Sequence, residues 1–302
     1  MCSRRPSSLP PLSLLLAALL TSLLTSLLGG GASAAPREPT APERARYPWL
    51  AAGRPIRPLS EAFAPPAGYT RVALAAGSFG AWLRELPLRP EGTPVRDFQG
   101  ERVLAGDAPE LAAVAELDVG GANLQQCADS IIRLHAEWLW SRGQKERIAY
   151  RFTSGDLASW PRYAAGERAR VSGSRVMWVK GGPAEASRAA FRGYLDLVFT
   201  YAGTLSLAAE KGRPSREDVR PGDFFVLGGG PGHAVLVLDV ARDASGRRVA
   251  LLGQGFLPAQ DFHVLSPGGD EGAWFSLEAD AVKTPFWRPF PWSSLRRLPE
   301  AE

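Results

Sequence analysis

Three residues in this chain have the types and the setting for acyl-transfer chemistry: Cys127, His233 and Gln254. A thiolate, not a thiol, attacks a carbonyl, so a nucleophilic cysteine needs help to lose its proton. The opening turn of a helix supplies partial positive charge, and a nearby imidazole supplies a base. Cys127 stands at the start of an apolar-periodic segment, so it has the first of these aids. Its competing reading is an inert core thiol, since free cysteine is among the most buried residue types. Of the three histidines, His135 lies two helical turns beyond Cys127, ~12 Å away and too far to bond it. His233 follows the turn Gly228-Gly229-Gly230-Pro231-Gly232, which clears space around a ring; the alternative is a turn histidine that caps a strand. Gln254 ends the next apolar run, and its amide oxygen can hold an imidazole N–H. His263, Gln260 and Asp261 are the reserves for that third place. Gln125 and Gln126, with the Cys127 backbone N–H, are candidate oxyanion donors, and Gln260 and His263 are further substrate-binding candidates.

Other chemistries have weaker patterns. His233, His263 and Cys127 with Asp223 or Asp261 offer zinc ligands, but at no familiar zinc spacing. The Gly228–Gly232 run lacks the Lys-Ser/Thr and the following helix of a phosphate loop. Trp138, Trp140, Trp160 and Trp178 are of the type that lines sugar clefts, and equally of the type that fills cores. The expectation is a site with neither metal nor cofactor.

These residues need elements to hold them. Asn123, with Gln126 three residues on, has the capping-box pattern, and Leu124, Cys127, Ala128, Ile131, Leu134, His135 and Trp138 follow at helical spacing. Residues 224–227, 234–240 and 248–253 read as three strands joined by short turns, with 262–265 as a fourth. Before the Cys127 helix come a strand over 69–74, a short helix over 78–86, a hairpin over 95–103 and a strand over 112–119. After it come strands over 147–153 and 176–179, with a loop over 154–172 between them, and a helix over 187–210 interrupted near Gly203. Strands gathered into a meander beside earlier helices make the fold class α+β, not alternating βαβ.

Length and composition bound the rest. The chain has 302 residues, 45% apolar and 22% charged, which suits a globular domain. Arginine is scattered, so a nucleic-acid partner is not expected. Arg4 and Arg5, the apolar run Leu12–Leu28, the break Gly29-Gly30-Gly31 and the A-x-A site Ala32-Ser33-Ala34 form an export signal cleaved near Ala34. Cleavage would remove two of 35 basic residues and no acid, leaving 33 − 31 = +2 from the formal +4, with Cys127 as the single cysteine. The expected localisation is secreted or periplasmic, with no membrane span left after cleavage. Residues 35–66, rich in Pro, Arg and Ala, read as an extended linker, and 67–298 as a single domain.

The order Cys127 at a helix start, Pro221-Gly222-Asp223-Phe224-Phe225-Val226, Gly232-His233-Ala234-Val235-Leu236-Val237, and a strand ending in a polar residue resembles the papain-like core of NlpC/P60 and CHAP cell-wall hydrolases. That resemblance implies Cys127, His233 and Gln254 as a triad and amide or ester bonds of the cell envelope, such as peptidoglycan peptides, as substrate. Here the gap from Cys127 to His233 is longer than in those families, and the third residue is an amide rather than His, Asn or Glu. A second resemblance covers residues 67–298. Gly77-Ser78-Phe79 with Trp82-Leu83-Arg84, Leu124-Gln125-Gln126-Cys127-Ala128-Asp129, Tyr201-Ala202-Gly203-Thr204 with Ser206-Leu207, and Pro258-Ala259-Gln260 with His263-Val264-Leu265 are similar to the bacterial domain-of-unknown-function family 4846. It implies a shared fold and site, with no activity attached. The alternatives to a hydrolase are a non-catalytic envelope protein that binds a peptide or glycan on a degenerate hydrolase fold, and a zinc-site protein.

Overall fold

The helix expected around Cys127 spans Cys127–Ser141 and begins at the cysteine itself. Its N-cap is Gln126, not Asn123. The Gln126 backbone N–H donates to Asp129 Oδ2 at 3.1 Å, which satisfies a donor that a helix start leaves free. Asn123 instead accepts from the Ala259 backbone N–H at 2.7 Å and ties the approach to the helix to a distant loop.

The computed structural model describes Met1, residues 35–268 and residues 272–300. The export signal expected over residues 1–34 lies, Met1 apart, outside the described residues. Among these, no helix is long and apolar enough to cross a membrane.

In chain order, the elements that frame the site are helix α1 (Ala41–Arg46), strand β1 (Tyr69–Arg71), helix α2 (Phe79–Arg84), strand β2 (Leu111–Val114), helix α3 (Cys127–Ser141), helix α4 (Arg188–Tyr201), helix α5 (Thr204–Ala208), and strands β3 (Asp223–Leu227), β4 (His233–Asp243), β5 (Arg248–Gln254), β6 (His263–Leu265), β7 (Trp274–Ser276) and β8 (Leu295–Arg297). The eight strands form one antiparallel sheet in the order β8-β3-β4-β5-β6-β2. β7 pairs with the first half of β5 and β1 with the last residues of β4. The fold is therefore mixed α+β, as the strand meander implies.

Alternation along the strands sorts two cores, one on each face of the sheet. Phe224, Val226, Ala234, Leu236 and Leu251 join Ala128, Ile131 and Leu134 of α3 in the larger one. Phe225, Val235, Val237, Leu252 and Leu265 join Phe275 and Phe290 in the smaller. Every residue of α3 from Cys127 to Leu139 is buried, so its polar side chains must find partners inside. Arg133 Nε donates to Glu137 Oε1 at 2.9 Å, and Arg188 donates to both Glu137 oxygens at 2.7 and 2.8 Å.

Two sequence expectations change. Residues 35–66 are not an extended linker: they include α1 and a short helix at Leu59–Ala62, and Tyr47, Ile56 and Leu59 are fully buried. Thr40 caps α1 and accepts from the Glu43 N–H, a local signal that the Pro-rich composition hides. The expected loop 154–172 contains a strand (Leu157–Ser159), a helix (Trp160–Ala164) and a further strand (Glu167–Ser172) that pairs with Arg175–Lys180 across Gly173. Its Arg-rich alternation has no apolar run, so only the pairing makes it a strand.

Candidate functional site

A cleft of about 420 Å³ opens at the N-terminal end of α3. Cys127, Asp129 and Gln126 form one side, Thr204 of α5 and Gly232 the other, and Leu257 stands on the rim. Two glycines bring these pieces into contact. A Cβ on Gly232 would lie 2.2 Å from Thr204 Oγ1, and one on Gly255 would lie 2.8 Å from the Gln126 carbonyl oxygen and 2.4 Å from Ser130 Oγ. Only a residue without a side chain lets the chain after β5 touch the first turn of α3.

Cys127 is 6% exposed, and the Ala234 backbone N–H lies near enough to its sulfur to favour the thiolate. Burial pushes the thiol up to about 11. The Ala234 N–H and those of the first helical turn pull against that rise, and the charge of Asp129 adds to it. Asp129, which the sequence reading passes over, is the neighbour that matters most here. Its Oδ2 caps the helix, but its buried Oδ1 has no hydrogen-bond partner, and burial raises the carboxyl to about 8. The sequence reading puts the cap at Asn123 and gives Asp129 no part in it. Nor does it show the burial that makes this carboxyl chemically unusual.

His233 begins β4 and is fully buried. Its Nε2 bonds Gln254 Oε1 at 2.7 Å, and Gln254 Nε2 bonds His263 Nε2 at 3.2 Å. His263 Nδ1 in turn lies 3.0 Å from the Asp261 carbonyl oxygen. Phe256 and Trp287 pack against the His233 ring at centroid distances of 4.9 and 5.0 Å. Burial lowers both His233 and His263 to about 4, so both rings are neutral near pH 7.

Three expected residues, His233, Gln254 and His263, thus meet in one chain of hydrogen bonds. Cys127 reaches the same strand one residue along, at Ala234. His233 Nδ1 is buried and has no hydrogen-bond partner, so no bond joins it to the thiol. His233 shares its strand parity with Val235 and Val237 of the smaller core, whereas Ala234 faces the α3 side.

The remaining candidates are placed differently. Gln125 does not face the cleft as an oxyanion donor. Its Nε2 donates to the Asp118 carbonyl at 3.1 Å, and its Oε1 accepts from Arg133 and Arg192 at 3.1 and 3.2 Å. Gln126 lines the cleft, with its amide donating to Asn123 at 3.1 Å. Gln260 is buried outside the cleft, with Oε1 unpartnered. The zinc constellation is not assembled. Arg297 holds Asp223 at 2.8 Å, Arg89 holds Asp261 at 3.0 Å, and among the described residues no cluster of three or more His, Cys, Asp or Glu side chains suits a metal. None of the four tryptophans lines the cleft. Trp138 donates to the Gly77 carbonyl at 3.0 Å, and Trp140 and Trp160 pack on Phe191.

Compared with known proteins, residues 59–297 match the family model described as Domain of unknown function (4846). No curated protein and no solved structure matches the chain.

Proposed function

We propose, for a chain that belongs to the domain-of-unknown-function family 4846, an exported papain-like cysteine hydrolase or transferase that acts on amide or ester bonds in the cell envelope. The observation that carries this reading is the state of His233. Its Nε2 is fixed on an amide oxygen, its Nδ1 is buried and unpartnered, and the next residue's backbone N–H favours the thiolate of Cys127. A buried ring nitrogen left unsatisfied costs free energy, about 1–3 kcal/mol for a typical polar group, and a proton-accepting role gives a reason to keep it.

In the reaction, substrate fills the cleft with its carbonyl carbon over Sγ. The thiol proton passes to Nδ1 as sulfur attacks, since thiol and imidazole, at about 11 and about 4, do not exchange it beforehand. An S–C bond forms. The C–N or C–O bond breaks, and the proton on Nδ1 goes to the leaving amine or alcohol. Water, or an acceptor amine in the transferase case, then attacks the thioester. It gives its proton back through Nδ1 and restores the thiol. Backbone N–H groups at the start of α3, with Gln126 on the cleft wall, are the donors assigned to the oxyanion in this reading. Peptidoglycan stem peptides are the substrate class that the cell-wall hydrolase resemblance suggests.

The test is acylation of the purified chain by p-nitrophenyl acetate, followed by mass spectrometry. The expected result is one acetyl group on Cys127 that His233→Ala prevents. Acetylation that ignores the His233→Ala change, or a Cys127 that never acylates, overturns the reading. A second reading, a non-catalytic peptide- or glycan-binding cleft, is favoured by the strand parity that turns the His233 ring toward Trp287 and by the high thiol pKa. It predicts saturable binding of muropeptides with no acyl-enzyme.

A further inference from the structure

We propose that His263 is a positioning residue that decides which nitrogen of His233 carries the proton, by fixing the orientation of the Gln254 amide. This rests on the hydrolase reading for its purpose, but its geometry stands apart from it.

The argument starts from the one group with no choice. The Asp261 carbonyl oxygen only accepts, so His263 Nδ1, 3.0 Å away, must donate. A neutral imidazole has one N–H, so His263 Nε2 is left with its lone pair. The amide 3.2 Å from that lone pair must therefore present its NH2 end. The oxygen of Gln254 then faces His233 Nε2 at 2.7 Å, and Nε2 must carry the proton. The lone pair of His233 is left on Nδ1, the nitrogen that bonds nothing. Burial keeps both rings neutral near pH 7 and shields the three side chains, each at most 1% exposed, from competing solvent.

Reversing the amide shows what the arrangement prevents. With its nitrogen toward His233, Gln254 would require the lone pair on Nε2 and the proton on Nδ1. His233 would then be a donor at Nδ1 and could not accept a proton there. An isolated glutamine has little preference between the two states. His263, with the Asp261 carbonyl behind it, removes the ambiguity from two hydrogen bonds away.

The experiment records the ring-nitrogen NMR spectrum of the full chain labelled with 15N-histidine at pH 7. His233 is expected to show a protonated Nε2 and a bare Nδ1, and His263 the opposite pair. In His263→Phe, which removes the acceptor, His233 is expected to become a mixture of both tautomers, and Cys127 acylation to fall with the share of the competent tautomer, by about twofold for an even mixture. Adding Gln254→Glu to His263→Phe supplies an acceptor with no donor end, and should return His233 to the single tautomer. A wild-type His233 protonated at Nδ1, or a folded His263→Phe protein with an unchanged tautomer, overturns the proposal. If His263→Phe does not fold, the wild-type spectrum decides alone. Correct tautomers in a protein that never acylates at Cys127 would remove the hydrolase reading and leave the positioning intact.

Discussion

Strand β4 buries a polar side chain near each end, and the two are treated differently. Asp239, toward the far end, is fully buried, and its oxygens accept from Arg71 at 2.6 Å, from Arg84 at 2.7 and 2.9 Å and from the Val240 N–H at 2.9 Å. His233, at the near end, is just as buried, yet one of its two ring nitrogens bonds nothing. The sheet is also closed differently: β1 pairs with the last residues of β4 near Asp239, whereas a glycine turn and the cleft lie beside His233. A saturated buried group holds a fold together. A buried group with one free atom, like Nδ1 of His233 or Oδ1 of Asp129, is a candidate for work on something that arrives later.

The contrast breaks first at the cleft. Cys127→Ala should abolish acylation, and His233→Ala should lower its rate by about 10²–10⁴-fold; the urea midpoint should fall too, because the lost ring leaves a cavity beside Phe256 and Trp287 and an unpartnered Gln254 oxygen. A large loss of stability without loss of acylation would make His233 another Asp239. At the other end, Asp239→Ala should cost about 3–5 kcal/mol in urea unfolding, because Arg71 and Arg84 lose their shared partner. Their partial exposure puts the value toward the lower limit. An effect below about 1 kcal/mol would mean that solvent satisfies the arginines.

Acid sharpens the comparison. His135, His233 and His263 are each lowered to about 4, so between about pH 6.5 and 4 the unfolded chain binds protons that the folded chain does not. Stability contributed by their neutral burial is complete above that window and is lost as pH falls through it, by up to about 3 kcal/mol per histidine at pH 4. Asp129 acts oppositely. Its carboxyl is raised to about 8, so its share is present at low pH and is lost as pH climbs from about 4 through 8. Urea midpoints for wild type and Asp129→Asn across pH 4–8 separate the two, the variant lacking the alkaline decline. The smallest effect is on the thiol itself. Since the Asp129 charge is one of the lesser causes raising Cys127, Asp129→Asn should move the pH midpoint of iodoacetamide labelling down by less than about one unit from about 11. A native midpoint near pH 6 would mean instead that a thiolate–imidazolium pair already exists.

Much of the scaffold was legible because it is written in local patterns. Ser78 caps α2 as expected and accepts from the Ala81 N–H at 3.2 Å. Strands β3, β4 and β5 lie where apolar runs end in turns, and the helix after Ser187 breaks at Ala202-Gly203 between α4 and α5. The start of α3 was misplaced because Asn123 and Gln126 offer two overlapping caps, and the tie between Asn123 and Ala259 that chooses between them is 136 residues away. Gln125 and Gln126 are adjacent and chemically identical. Only packing sends one to Arg133 and Arg192 and the other to the cleft.

The amino-acid sequence by itself determined the family, the α+β class, the cysteine at a helix start and the histidine behind its glycine turn, because each depends on residues close together in the chain or on motif similarity. Tertiary structure alone decided that His233, Gln254 and His263 share one directed chain of hydrogen bonds, that Asp129 keeps a free oxygen, and that the thiol rests high and protonated. Those properties depend on burial and on distances of about 3 Å between segments far apart in sequence, and no local pattern encodes either.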